Sequence, residues 1–165
     1  MVKKFINTKF VQSLVELFDS EDEQERDILK QVLHKLYAKV VARRKMIRSV
    51  VNANFFRLIH ETDCQNGAGE LLDIYASIIS GYAVPLRAEH VTFFKDIIIP
   101  LHKVQSCASF FEKLVRCAML FIVKDASLIA PLIDGLLKYW PFGNAGKEIL
   151  FLGELAEIMQ YHQIE

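Results

Sequence analysis

Few residues of this chain have both the type and the spacing for chemistry. His60 and Cys64 stand four apart in "HETDC", a spacing that puts two metal ligands on one helix face. H-E-x-x-H would need a histidine where Cys64 stands, and no second pair completes a site. "NGAGE" at 66–70 carries two glycines, but no strand pattern precedes it and G-x-G-x-x-G is not formed, so it reads as a turn. G-x-S-x-G and G-K-[ST] do not occur. Cys107 and Cys117 lie among apolar residues, the setting of inert core thiols. These residues argue against an enzyme and call for no cofactor and no metal.

Another set is spaced for binding. In "LHKLYAKVVARRKMIR", from Leu33 to Arg48, residues His34, Tyr37, Val41 and Arg44 follow at intervals of three, four and three. That makes one strip of a helix, beside a core stripe of Leu29, Leu33, Leu36 and Val40. Spacing alone favours the plainer reading, a polar border on a core-facing helix. The functional reading is a groove wall offering an aromatic ring, an imidazole and a guanidinium. Asp73, Ile74 and Ile78, at i, i+1 and i+5, offer a second wall, and Arg87 and His90 open the next helix. An apolar groove flanked by cations suits a peptide with apolar anchors and a carboxylate. "ARRKMIR" is basic but short, and it lacks flanking aromatics that stack on bases. Twenty basic residues balance twenty acidic ones, so nucleic acid is not the expected partner.

The elements that must carry these residues are helices. Period 3.6 dominates and no run alternates as a strand would. The spacing predicts helices over "KFVQSLVELF", over the stretch after Ser20 (a candidate N-cap followed by Glu21, Asp22 and Glu23), and from about Lys45 to Glu61. Others are predicted over "ELLDIYASIISGYA", "RAEHVTFFKDIIIPLHKV", "SFFEKLVRCAMLFIVKD", "ASLIAPLIDGLLKYW" and "KEILFLGELAEIMQYH", with Pro131 in a first turn or at a kink. Turns before Glu21, near Asn66, near Ser106 and near Asn144 recur about every forty residues, the size of a HEAT or armadillo unit. A stacked α-solenoid and a compact helical bundle both satisfy that pattern. At 165 residues and 52% hydrophobic the chain has the size and composition of one folded domain. Three cysteines without C-x-x-C suit a reducing compartment. No leader-like or membrane-length apolar run is present, so the expected location is cytoplasmic or nuclear, with no membrane partner.

The segments "ELFDSED", "ERDILK", "LHKLYAK", "NGAGELLDI", "PLRAEH", "IPLHKV", "GLLKYWP" and "KEILFLGELAEI" occur in that order. Together they closely resemble the central part of the B-prime family of regulatory subunits of protein phosphatase 2A, across almost the whole chain. The resemblance implies one all-α, HEAT-like helical-repeat solenoid over 1–165, equivalent to the central repeats of a core more than twice as long. It implies a non-catalytic subunit that joins scaffold and catalytic subunits and recruits substrates through L-x-x-I-x-E motifs. A stand-alone interaction module that no longer assembles with the phosphatase is the competing class.

By the same resemblance the motif groove falls on His34, Lys35, Tyr37 and Arg44, on Asp73, Ile74 and Ile78, and on Arg87 and His90. Lys35 stands where the family usually has arginine, which keeps the charge but loses the bidentate fork. Ala38 replaces a family glycine and favours the helix. An acidic loop of Asp19, Glu21 and Asp22 is implied to face the catalytic subunit, with Glu23 and Gln24 in place of the common Pro and Arg. If flanking repeats are missing, Phe5, Phe10 and the last helix around Phe151 are expected to be sticky.

Overall fold

A computed structural model describes residues 5–163. Among them it contains no strand. The helices are α1 (Thr8–Glu16), α2 (Glu23–Lys39), α3 (Arg44–Arg57), α4 (Ala68–Ser80), α5 (Ala88–Phe93), α6 (Ile99–Leu101), α7 (Phe111–Lys124), α8 (Ile129–Lys138) and α9 (Ala145–Gln163). A π turn over Leu58–Thr62 extends α3, and another over Phe94–Ile98 joins α5 to α6.

Helices pack on the next but one in the chain, which makes two layers. One layer runs α1, α3, α5–α6, α8 and the other runs α2, α4, α7, α9. Each helix pair thus touches only its neighbours, the arrangement of an α-solenoid. The apolar stripes of both layers meet in one continuous core. Phe18, Phe55, Tyr75, Phe94, Phe121 and Phe151 are its largest fully buried side chains, each worth roughly 1.5–3 kcal/mol of burial. Tyr75 stacks on Phe93 at 4.4 Å, and Phe94 and Phe93 both tilt against Phe121.

Local chemistry sets the boundaries, and it corrects three expectations. The N-cap of α2 is Asp22, not Ser20: its carboxylate accepts from the Gln24 N–H at 2.8 Å. Ser20 instead accepts from the Asp22 N–H and donates to Glu25, bracing the loop one turn earlier. The strip from His34 to Arg44 is not on one helix. The chain leaves helical geometry at the buried Val40 and makes a 3₁₀ turn over Val41–Arg43 before α3 begins. Phe151 is fully buried, because α9 packs on α7 and α8 and its ring stacks on Phe111 at 5.6 Å. The exposed apolar side chains of α9 are Ile149, Leu152 and Met159, while Phe5 and Phe10 are exposed as expected. Pro131 lies in the first turn of α8, where its missing N–H costs nothing.

Candidate functional site

Two successive inter-helix turns lie side by side at one edge of the stack, and the space between them is a groove of about 450 Å³. α2 contributes His34, Tyr37 and Ala38, an i, i+3, i+4 set on one face. The start of α3 adds Arg44 and Arg48. α4 adds Ser77 and Ile78, and the connection onward to α5 adds Gly81, Tyr82, Ala83, Pro85 and Arg87. The first turn of α5 closes it with Glu89 and His90. Lys124 of α7 steadies that connection by donating to the carbonyls of Ser80 and Tyr82.

Six of the nine residues expected at the motif site line this groove: His34, Tyr37, Arg44, Ile78, Arg87 and His90. The other three do not. Lys35 is exposed outside the lining. Ile74 is 4% exposed, within the core. Asp73 is paired with Lys113 at 2.9 Å and Lys30 at 3.5 Å. A five-residue step turns a helix by about 140°, so Asp73 and Ile78 cannot share one wall.

Arg44 is committed to the backbone. Its Nε donates to the Tyr37 carbonyl at 2.9 Å and an Nη to that of Ala38 at 3.1 Å, which caps the end of α2. The guanidinium also lies 5.2 Å from the centroid of the Tyr37 ring. Arg48, which sequence reasoning passed over, is the cation held inside the groove. It sits four residues after Arg44 on the same helical face, and that spacing was the available signal. Its Nη1 donates to the Tyr37 hydroxyl at 3.0 Å and its Nη2 to Glu89 at 3.3 Å. Burial opposes the Arg48 charge, but the Tyr37 hydrogen bond and nearby Glu89 outweigh it and the guanidinium is held more firmly charged.

Tyr82 and Glu89 were also missed. Tyr82 stacks face to face on His90 at 3.6 Å. Burial pushes the Tyr82 phenol up, so it stays neutral. Burial pushes the His90 imidazole down from its ordinary value, helped by Arg48 and Arg87 and opposed by Glu89. His90 Nδ1 is buried and has no hydrogen-bond partner among the described residues. Arg87 is exposed and makes no ion pair among them. The lining therefore holds three guanidinium groups against the single carboxylate of Glu89, with Ile78 and the tyrosine rings as apolar surface. Such a groove can hold an anionic group at one end and apolar side chains beside it.

The acidic loop divides by role. Asp19 is engaged by Asn66 at the α3–α4 turn, and Asp22 caps α2. Glu21 has only its backbone carbonyl engaged, by Arg26, and its side chain is exposed. Cys107 and Cys117 are fully buried; burial pushes the Cys117 thiol up to about 12, against the reactivity a thiolate would bring. Cys64 is exposed, and His60 packs against the Phe56 ring at 4.3 Å. Among the described residues no three His, Cys, Asp or Glu side chains gather as metal ligands would, and no helix is long and apolar enough to cross a membrane.

The family described as protein phosphatase 2A regulatory B subunit (B56 family) matches residues 1–165. The chain is similar to the 56 kDa regulatory subunit alpha isoform of serine/threonine-protein phosphatase 2A from Homo sapiens, at 48% identity over 159 residues, which is 96% of this chain and 33% of that protein. The delta isoform from Oryctolagus cuniculus is 47% identical over 159 residues, 96% of this chain and 27% of the relative. The B' gamma isoform from Arabidopsis thaliana, a 59 kDa regulatory subunit, is 44% identical over 163 residues, 99% of this chain and 31% of the relative. The chain spans about a third of the length of the curated relatives it matches.

Proposed function

The chain belongs to the B56 family of protein phosphatase 2A regulatory B subunits, and from that membership we propose that it is a non-catalytic, substrate-recruiting regulator of serine/threonine protein phosphatase 2A. In this reading the groove between the α2–α3 and α4–α5 turns receives an L-x-x-I-x-E-type motif of a substrate protein. The observation that carries it is the placement of Arg48, Arg87 and His90 in one groove beside the apolar surface of Ile78 and the Tyr37 and Tyr82 rings, with a single competing carboxylate. The motif's apolar residues lie along Ile78 and the Tyr37 ring, and its glutamate, or a phosphate, meets the cations. His34 and Arg44 border the site. Lys35, Asp73 and Ile74, which the family resemblance assigns to it, lie outside the lining and act from its margins.

The solenoid supports the assembly half of the proposal through its acidic loop. Glu21 offers a free carboxylate beside the Asp22 cap, and we assign this loop to the catalytic subunit, with the scaffold subunit as the other partner. Co-purification of the expressed chain with both phosphatase subunits tests this. Capture of motif-bearing proteins with neither phosphatase subunit would instead make it a stand-alone interaction module.

A further inference from the structure

The groove carries its own competitor. This inference rests on the peptide-groove reading above and concerns how tightly that site holds an acidic ligand. Glu89 is the one carboxylate in the lining, and a single oxygen of it, Oε1, lies 3.3 Å from Arg48 Nη2 and 3.5 Å from His90 Nε2. We propose that Glu89 is an intramolecular stand-in for the ligand's anionic group, displaced when a carboxylate or phosphate binds, and that it sets the groove's affinity below what its cations alone would give.

Exposure orders the three groups. The Glu89 side chain is 44% exposed, against 19% for Arg48 and 10% for His90, so the carboxylate lies on the solvent side of the two groups it covers. A pair so exposed is weak, and the carboxylate can swing into water at small cost. Neither partner relies on it for position. Arg48 remains tied to the Tyr37 hydroxyl, and His90 remains stacked on Tyr82. Displacing Glu89 thus uncovers preorganised donors rather than loosening the wall. The unpartnered Nδ1 of His90 is a further polar atom in that wall with its hydrogen bond unmade. A ligand that brings one carboxylate must first displace this weak pair, so it gains less than uncovered cations would give. A doubly charged phosphate gains more.

The test is fluorescence titration of two peptides, one ending its motif in Glu and one in Gln, against wild type and Glu89→Gln. Glu89→Gln is expected to bind the Glu peptide about two- to fivefold more tightly, the fold-change equivalent to a surface pair, and to leave the Gln peptide unchanged. Its affinity for the Glu peptide should also fall more steeply with salt. Unchanged or weaker binding of the Glu peptide by Glu89→Gln, with the wild type binding normally, would overturn the proposal and make Glu89 a support for Arg48. Equal tightening for both peptides would also overturn it. Failure of wild type and variant alike to bind either peptide would sink the groove reading itself.

Discussion

Asp19 and Asn66, 47 positions apart, hold each other twice. The Asn66 backbone N–H donates to Asp19 Oδ1 at 3.0 Å, and its Nδ2 donates to the Asp19 carbonyl at 3.0 Å. Beside this clamp Gly67 lies so close to the chain that a Cβ on it would stand 2.2 Å from the Phe18 carbonyl oxygen. The turn leading into α2 is therefore locked onto the turn leading into α4, joining one helix pair to the next. Asp19→Ala should cost about 1 kcal/mol, one hydrogen bond. Gly67→Ala should cost more, about 1–3 kcal/mol, because the backbone it would strike cannot rotate away. Urea unfolding checks both, and unchanged midpoints would show the two turns to be independent.

Of Asp19, Glu21 and Asp22, only Glu21 has a carboxylate with no hydrogen bond or ion pair among the described residues. Glu21→Lys should change the melting temperature little, as surface changes do, while weakening association with the catalytic subunit measured by pulldown. Asp19→Ala should lower both. A proportional fall in stability and association for Glu21→Lys would make the loop structural throughout.

Glu154 and His102 form a fully buried pair at 3.0 Å that ties α9 to the turn after α6. His102 Nδ1 faces the Ile99 carbonyl at 2.9 Å, an acceptor only, so that nitrogen carries hydrogen, and a second proton between Nε2 and Glu154 completes the pair. Glu154→Leu should cost about 1–3 kcal/mol, since it strands a buried polar partner. Glu154→Gln keeps a hydrogen-bonding group in place and should cost less. Denaturation of the two variants side by side checks the order.

The lowered His90 titration predicts a pH effect with a fixed sign. Above its ordinary value of 6.5 both folded and unfolded chains hold it neutral. As pH falls through 6.5 the unfolded chain takes the proton first, so stability drops until the folded value is passed. Melting temperature followed from about pH 7.5 to 5.5 should therefore fall, and His90→Gln should flatten part of the fall. Parallel curves for wild type and His90→Gln would contradict it.

Helix identity was legible because apolar period and turn residues agreed almost everywhere, and the roughly forty-residue recurrence of turns pointed to stacked pairs. What misled was drawing His34, Tyr37, Val41 and Arg44 as one helix face although a new helix was predicted from about Lys45. Nothing in the order Val40-Val41-Ala42-Arg43 marks a break as glycine or proline would. The break depends on Val40 burying itself and on Arg44 reaching back to two carbonyls, which are tertiary facts. The fold commits Arg44 to the end of α2 and brings Arg48, one turn further on, into the groove beside it. Asp73 lies off the lining, paired with Lys30 and Lys113, because the helix turn separates it from Ile78 where the sequence reading placed both on one wall. His102 and Glu154 stand 52 positions apart, and no local pattern joins them.

The central claim is that the groove around Arg48 receives a short acidic, apolar motif. Titration of a fluorescent L-x-x-I-x-E peptide against wild type, Arg48→Ala and Lys35→Ala tests it most directly. Loss of a charge-assisted hydrogen bond should weaken Arg48→Ala by about 1.5–3 kcal/mol, roughly ten- to hundredfold. Lys35→Ala, outside the lining, should lose far less, and added salt should weaken the wild type. Equal affinity of wild type and Arg48→Ala, or no detectable wild-type binding, would contradict the account.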